Sequence, residues 1–204
     1  FIPIAGIDYT DRKKAMEEIE KIAKWGFKGI NLELILTNEP YLPGDRRLYP
    51  IYAQCEDLGL VCSLFTSPIS AGYSIENNWP FAIDQVAGDF PNLKIYLVHG
   101  CYPLVEQLIN LVWRRPNIWF SNDCYIFAPG SQLYIDACNY SAGDPENPIY
   151  PLEWTRIQDR YCYASAYPFS SPPTQRVAEF KKLGWKEEIL PKLMYENAAE
   201  LYGL

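Results

Sequence analysis

Few residues in this 204-residue chain are equipped for chemistry, and one type is nearly missing: there is a single histidine, His99. Any metal site that needs two or three imidazoles from this chain alone is therefore excluded, which removes the usual zinc-hydrolase sets and Cys₂His₂ fingers. A serine or cysteine nucleophile with an imidazole base is possible only through His99. Its ring titrates near neutral pH and suits general acid–base work; the plainer reading is a histidine that simply lines a pocket. Cys101, two residues on, is a conceivable thiolate partner on the same side. Asp8, Glu33 and Asp123 are carboxylates that an oxygen-loving ion such as Mg²⁺ or Mn²⁺ would use, although solvated loop carboxylates explain them more simply. Thr66 and Ser165 carry hydroxyls able to donate to a small acid.

The elements that must position these residues alternate. Residues 1–7 (FIPIAGI), 29–36 (GINLELIL), 60–65 (LVCSLF), 93–98 (LKIYLV), 117–120 (NIWF) and 160–164 (RYCYA) read as strands. They are apolar on both faces, as parallel strands covered by helices must be. Between them lie helical patterns. The first is Ala15, Ile19, Ile22 and Ala23, capped by Thr10 and ended by Gly26. Another is Leu48, Ile51, Tyr52, Cys55 and Leu58, capped by Asp45 and stopped by Gly59, with Pro50 suggesting a later start. Helices are also expected up to Phe90, over 103–115 and near 132–139, with two more over 174–204 divided by Gly184 and Pro191.

Six strand–helix alternations predict an α/β fold, either a barrel or a doubly wound sheet. No G-x-G-x-x-G follows a strand, which disfavours a dinucleotide-binding sheet. A full eight-unit barrel needs about 250 residues. Six units match one TIM-like (β/α)₈ domain over 1–204 with its first two strands missing from this chain. Chemistry in such barrels collects just past the C-terminal strand ends. Those positions hold Asp8, Glu33, Phe65, Thr66, His99, Gly100, Cys101, Ser121, Asn122, Asp123, Ser165, Ala166 and Tyr167.

The formal net charge of −7, without a basic cluster, argues against nucleic acid as a partner. No apolar run approaches the roughly 18 residues of a membrane span, and no signal peptide is visible. The six cysteines are scattered singly without a C-x-x-C pair, which reads as reduced thiols in a cytoplasmic protein. Aromatic residues reach 15%. Trp79, Trp113, Trp119, Trp154 and Trp185 are spread as core packing would spread them. The stretch 140–154, rich in tyrosine and proline, is the expected subunit contact.

Several segments in order resemble the amidohydrolase-related family of metal-dependent hydrolases and decarboxylases on a distorted (β/α)₈ barrel. They are Gly26-Phe27-Lys28-Gly29-Ile30, Arg47-Leu48-Tyr49-Pro50-Ile51-Tyr52, and the run from Phe90-Pro91-Asn92 to His99-Gly100. Arg115-Pro116-Asn117-Ile118-Trp119-Phe120, Tyr167-Pro168-Phe169 and Glu196-Asn197-Ala198-Ala199-Glu200-Leu201-Tyr202-Gly203-Leu204 complete the set. The resemblance implies a divalent metal, often zinc, held by a first-strand pair, a fifth-strand histidine and an eighth-strand aspartate, with a sixth-strand histidine at the substrate. Here the fifth-strand position is Phe65 and the eighth-strand position is Ala166, neither of which has a lone pair to offer. The sixth-strand histidine survives as His99.

Three readings follow. One is a degenerate, non-catalytic member with no cofactor of its own, acting as a subunit or scaffold that pairs with itself or with an intact relative. The second is an active hydrolase or decarboxylase of a small carboxylic acid, holding zinc or another divalent metal by non-standard ligands. The third is a small-molecule binding barrel that kept the pocket and lost the chemistry.

Overall fold

The computed structural model describes residues 1–35, 40–67, 79–141 and 156–204. Five parallel strands follow one another round the sheet in chain order: β1 (Ile4–Gly6), β2 (Gly29–Leu32), β3 (Val61–Phe65), β4 (Ile95–Val98) and β5 (Ile118–Phe120). The first four crossovers carry helices α1 (Arg12–Lys24), α2 (Tyr49–Leu58), α3 (Pro80–Asp89) and α4 (Val105–Arg114). After β5 come α5 (Gln132–Ser141), α6 (Pro173–Phe180) and α7 (Asn197–Tyr202). The α/β expectation holds. Every residue of β3 is buried, as a strand covered on both faces requires.

The sixth strand, expected over 160–164, is reduced to a single parallel bridge between Phe120 and Tyr161. Phe120 N–H donates to Arg160 O and Cys162 N–H donates to Phe120 O. On the opposite edge of this segment Tyr163 N–H donates to Leu193 O at 2.7 Å and ties it to the C-terminal helical turn. The register of β2 on β3 needs Gly29, because a Cβ there would lie 2.6 Å from Val61 O.

Helix ends differ in detail from the pattern reading. Asp11, not Thr10, caps α1 by accepting from Lys14 N–H. Thr10 is occupied otherwise: its N–H and hydroxyl both donate to Asp8. Asp45 caps a 3₁₀ turn, Arg46–Leu48, that leads directly into α2. Pro50 falls in the first turn of α2, where a missing N–H leaves nothing unpaired, so the helix starts no later on its account. Gly59, at φ 66°, ends it in the left-handed region. Toward the C-terminus a π-helical turn, Lys192–Glu196, runs straight into α7. Lys94, entering β4, donates to the carbonyls of Glu200 and Leu201 and ties α7 to the sheet.

The core runs continuously from Ile7 to Leu193 and includes the fully buried Tyr52, Phe120, Tyr134, Tyr161 and Phe180. The phenol groups are paired: Tyr52 donates to Pro43 O, Tyr134 to Gly100 O and Tyr161 to Asn122 Oδ1. No helix among the described residues is long and apolar enough to cross a membrane. Of the expected contact stretch 140–154, residues from 142 on lie outside those described, as do the loop 68–74 and the start of the expected helix before Pro80.

Asn117, buried at the entrance to β5, donates through Nδ2 toward the carbonyls of Ala87, Phe90 and Leu93. It thereby holds the end of α3 and its loop against β5. Replacing it by Leu leaves those buried acceptors without their donor, a loss of about 2 kcal/mol. Urea unfolding of Asn117→Leu against the parent checks this.

Candidate functional site

The site lies where β3, β4 and β5 end. β4 stops at Val98, and His99, Gly100 and Cys101 then form a left-handed turn with φ of 69°, 60° and 54°. For the two residues with side chains this backbone is strained by roughly 1–2 kcal/mol each. Neighbouring groups hold it in place. Thr66, just past β3, donates its hydroxyl to Val98 O at 2.7 Å and accepts from Cys101 N–H at 3.0 Å, clasping the turn at both ends. Tyr134 of α5 donates to Gly100 O at 2.7 Å. Only glycine fits at position 100, since a Cβ would meet Ser121 O at 3.0 Å and Tyr134 Oη at 3.2 Å.

The turn aims His99 at the loop beyond β5. His99 Nδ1 lies 2.5 Å from Asp123 Oδ1, with both side chains buried. Asp123 Oδ1 also accepts from Cys124 N–H at 2.7 Å. Phe65 stands edge-on to the imidazole with ring centroids 4.6 Å apart. Tyr125 is nearly perpendicular to it, with centroids 5.9 Å apart, and stacks in turn on Tyr102 at 4.4 Å. Burial by itself pulls the His99 pKa down, but the bonds to Asp123 and Cys124 outweigh it and raise it from the ordinary 6.5 to about 9. The histidine is therefore an imidazolium around neutral pH.

The strand-end residues do not converge on one point. Asp123 is buried against His99, so it is not the solvated loop carboxylate of the plainer reading. Asp8 and Glu33 are exposed and answer only to their own loops, Asp8 through Thr10 and Glu33 through Asn31. The carboxylate on Asp8 is held below its usual range by those Thr10 bonds. Cys101 is fully buried in the core, and burial pushes its thiol up to about 12. It is no thiolate partner for His99, because the left-handed turn breaks the strand alternation on which that pairing rested. Thr66 spends its hydroxyl on the turn and has none to offer a ligand. Ser165 accepts from Tyr167 N–H, Ala166 sits at φ 53°, and Tyr167 is exposed. Ser121 is fully buried at the end of β5.

Cys124 and Tyr125 belong to the site and escaped the strand-end rule, because they sit on a 3₁₀ turn, Asp123–Tyr125, one step past the strand end. The adjacency of Cys124 to a strand-end carboxylate was the available signal.

Among the described residues, His99, Asp123 and Cys124 bring three donor atoms within 4.8 Å of one another. This set does not fit the divalent ion of the related barrels. A nitrogen and an oxygen 2.5 Å apart share a proton, whereas two ligands on one zinc at about 2.0–2.2 Å stand further apart. An imidazolium also has no lone pair to give. Phe65 packs its ring against His99 and Ala166 carries only a methyl group, so neither side chain has a lone pair for an ion.

A histidine whose folded pKa is raised adds stability in full below its unfolded value, near 6.5, and loses it as pH climbs through about 9. Relative to His99→Gln, the parent should therefore lose roughly 3 kcal/mol between those pH values. Denaturant midpoints measured across pH 6–10 for both proteins give the difference directly.

The residues that build this site can be set beside known proteins. The amidohydrolase family model (Amidohydrolase) matches residues 1–204, the whole chain. No curated protein sequence gives a significant match. Among solved structures, an uncharacterized TIM-barrel protein, Bb4693 from Bordetella bronchiseptica, is 32% identical with a TM-score of 0.85, over 100% of this chain and 66% of that one. The chain thus spans just under two thirds of that relative's length. A dihydroxybenzoic acid decarboxylase from Polaromonas sp. JS666, solved with bound manganese and the inhibitor 2-nitroresorcinol, is 16% identical with a TM-score of 0.70, over 100% and 69%. A probable 2-pyrone-4,6-dicarboxylic acid hydrolase from Acinetobacter baumannii, with citric acid bound, is 15% identical with a TM-score of 0.64, over 100% and 73%. The last two likenesses establish a shared barrel architecture. With the parallel strands in chain order, the site at their C-terminal ends and a family match over every residue, the chain belongs to the amidohydrolase family.

Proposed function

We propose that this chain is a member of the amidohydrolase family that does not perform the family's metal-dependent reaction. One observation carries the reading: His99, the one imidazole, is protonated and locked to Asp123, while Phe65 packs against it where a ligand would stand. The barrel-forming segments are intact around this altered centre, which supports a role as a scaffold or subunit. Pairing with a second copy or with a metal-bearing relative is the expected assembly, and six free thiols suit a cytoplasmic setting.

A second reading is favoured by the charge on His99. A buried cation at the mouth of a barrel, walled by Phe65, Tyr125 and Tyr102, is suited to a small aromatic or aliphatic carboxylic acid. Citric acid, bound in one structural relative, is a ligand of that kind, and the 2-nitroresorcinol bound in another is a small aromatic compound that bears phenol and nitro groups in place of a carboxyl.

Metal analysis by mass spectrometry, on protein purified without chelator, tests the first reading. Well under one zinc or manganese per chain is expected. About one per chain, with decarboxylase or hydrolase activity dependent on it, would sink the proposal. Sedimentation velocity tests the assembly, and a monomer that captures no intact relative counts against it. For the second reading, benzoate and citrate should raise the melting temperature of the parent and lose that effect in His99→Gln.

A further inference from the structure

We propose that Cys124, His99 and Asp123 form a metal-independent nucleophilic thiol centre that takes an acyl group from an activated aryl ester. This goes beyond the loss of metal chemistry and assigns a reaction to what stands in its place.

The first support is position. All six cysteines fall within the described residues, and Cys124 is the exposed one, whereas Cys55, Cys62, Cys101, Cys138 and Cys162 are buried. Burial pushes the Cys101 and Cys162 thiols up to about 12, which makes them inert at neutral pH. Cys124 opens instead onto the rim of the site. Its sulfur stands within 4.8 Å of the His99 and Asp123 donor atoms, and nucleophile–base contacts in unliganded sites are often looser than in the complex.

Orientation is the second support. Asp123 Oδ1 holds both partners at once, His99 through Nδ1 at 2.5 Å and the Cys124 backbone N–H at 2.7 Å. One carboxylate therefore fixes the imidazole and the backbone that carries the thiol. A nucleophile, a base and a third group that orients the base constitute the arrangement that activates a thiol. The wall beside it is aromatic: Phe65 edge-on to His99, and Tyr125 stacked on Tyr102. That surface suits the aryl portion of an ester.

The chemistry balances without a metal or an added oxidant. Cys124 Sγ, its proton held by His99, attacks the ester carbonyl carbon and forms the S–C bond. The C–O bond to the aryl group breaks. The departing phenolate oxygen takes the proton from His99, leaving an S-acyl cysteine, a phenol and a neutral imidazole. Asp123 keeps the ring oriented throughout. Water, deprotonated by the neutral His99, then cleaves the thioester to a carboxylic acid and restores thiol and imidazole.

Two measurements on the full chain, made with EDTA present, test this separately from the metal question. The first is the rate of iodoacetamide labelling at Cys124 at pH 7, followed by mass spectrometry. Asp123→Asn and His99→Gln should each slow it about tenfold. The second is p-nitrophenyl acetate: a burst of one nitrophenolate per chain is expected, with the acetyl group on Cys124 and no burst in Cys124→Ser. Labelling of Cys124 at the parent's rate in both variants overturns the proposal, as does a burst of equal size in Cys124→Ser. Should one His99 or Asp123 variant fail to fold, the other variant and the burst still decide.

Discussion

A proton shared between His99 and Asp123 is the interaction on which the rest of this site depends. Taking an imidazole and a carboxylate out of water is costly for each group alone. At 2.5 Å, with a backbone N–H from Cys124 on the same oxygen, the mutual attraction exceeds that penalty and the ring stays charged. The partners come from different strand ends, and His99 reaches Asp123 only because the chain leaves β4 in a left-handed turn. That turn would be unfavourable in isolation. It persists because Thr66 binds it on both sides, Tyr134 holds its middle carbonyl and Gly100 leaves room for the neighbouring backbone. Strain in the backbone and charge in the core are thus two aspects of one local solution.

Much of the fold was legible in the sequence, because apolar runs bounded by Gly, Pro and Asn report parallel strands directly. All five strands of the sheet fall within the expected runs, and His99 sits at the strand end where it was expected. The sixth run, 160–164, illustrates the limit of periodicity. Its residues are as strand-like as the others, yet the ladder to β5 stops after one bridge, and the other edge of the segment is held by Leu193 O through Tyr163 N–H. A contact with a residue so distant in sequence leaves no local pattern.

The site was legible in position and opaque in arrangement. Strand-end counting found His99, Asp123, Phe65 and Thr66, and it also picked Asp8 and Glu33, which are exposed and stand apart from the His99–Asp123 pair. It paired His99 with Cys101 by assuming that the backbone continued extended. Three successive positive φ angles reverse that outcome and send Cys101 into the core. Cys124 came into view only when the 3₁₀ turn after β5 carried it back beside the ring. That Phe65 and Ala166 cannot ligate an ion could be read from residue identity alone, since neither side chain has an electron pair to donate in any conformation.

The order of the sheet has a consequence for how the chain reaches this state. Each strand pairs with the strands just before and after it in sequence, so every strand-to-strand contact closes over one crossover. The loop-closure entropy is met in similar small steps, without a single long-range pairing that must form first. The sheet can grow by accretion from either end, one β/α unit at a time. The His99–Asp123 pair draws on β4 and the loop after β5, and its turn on α5, so it completes late in growth from the N-terminus. A buried pair of opposite charges is then assembled against a platform that is already in place.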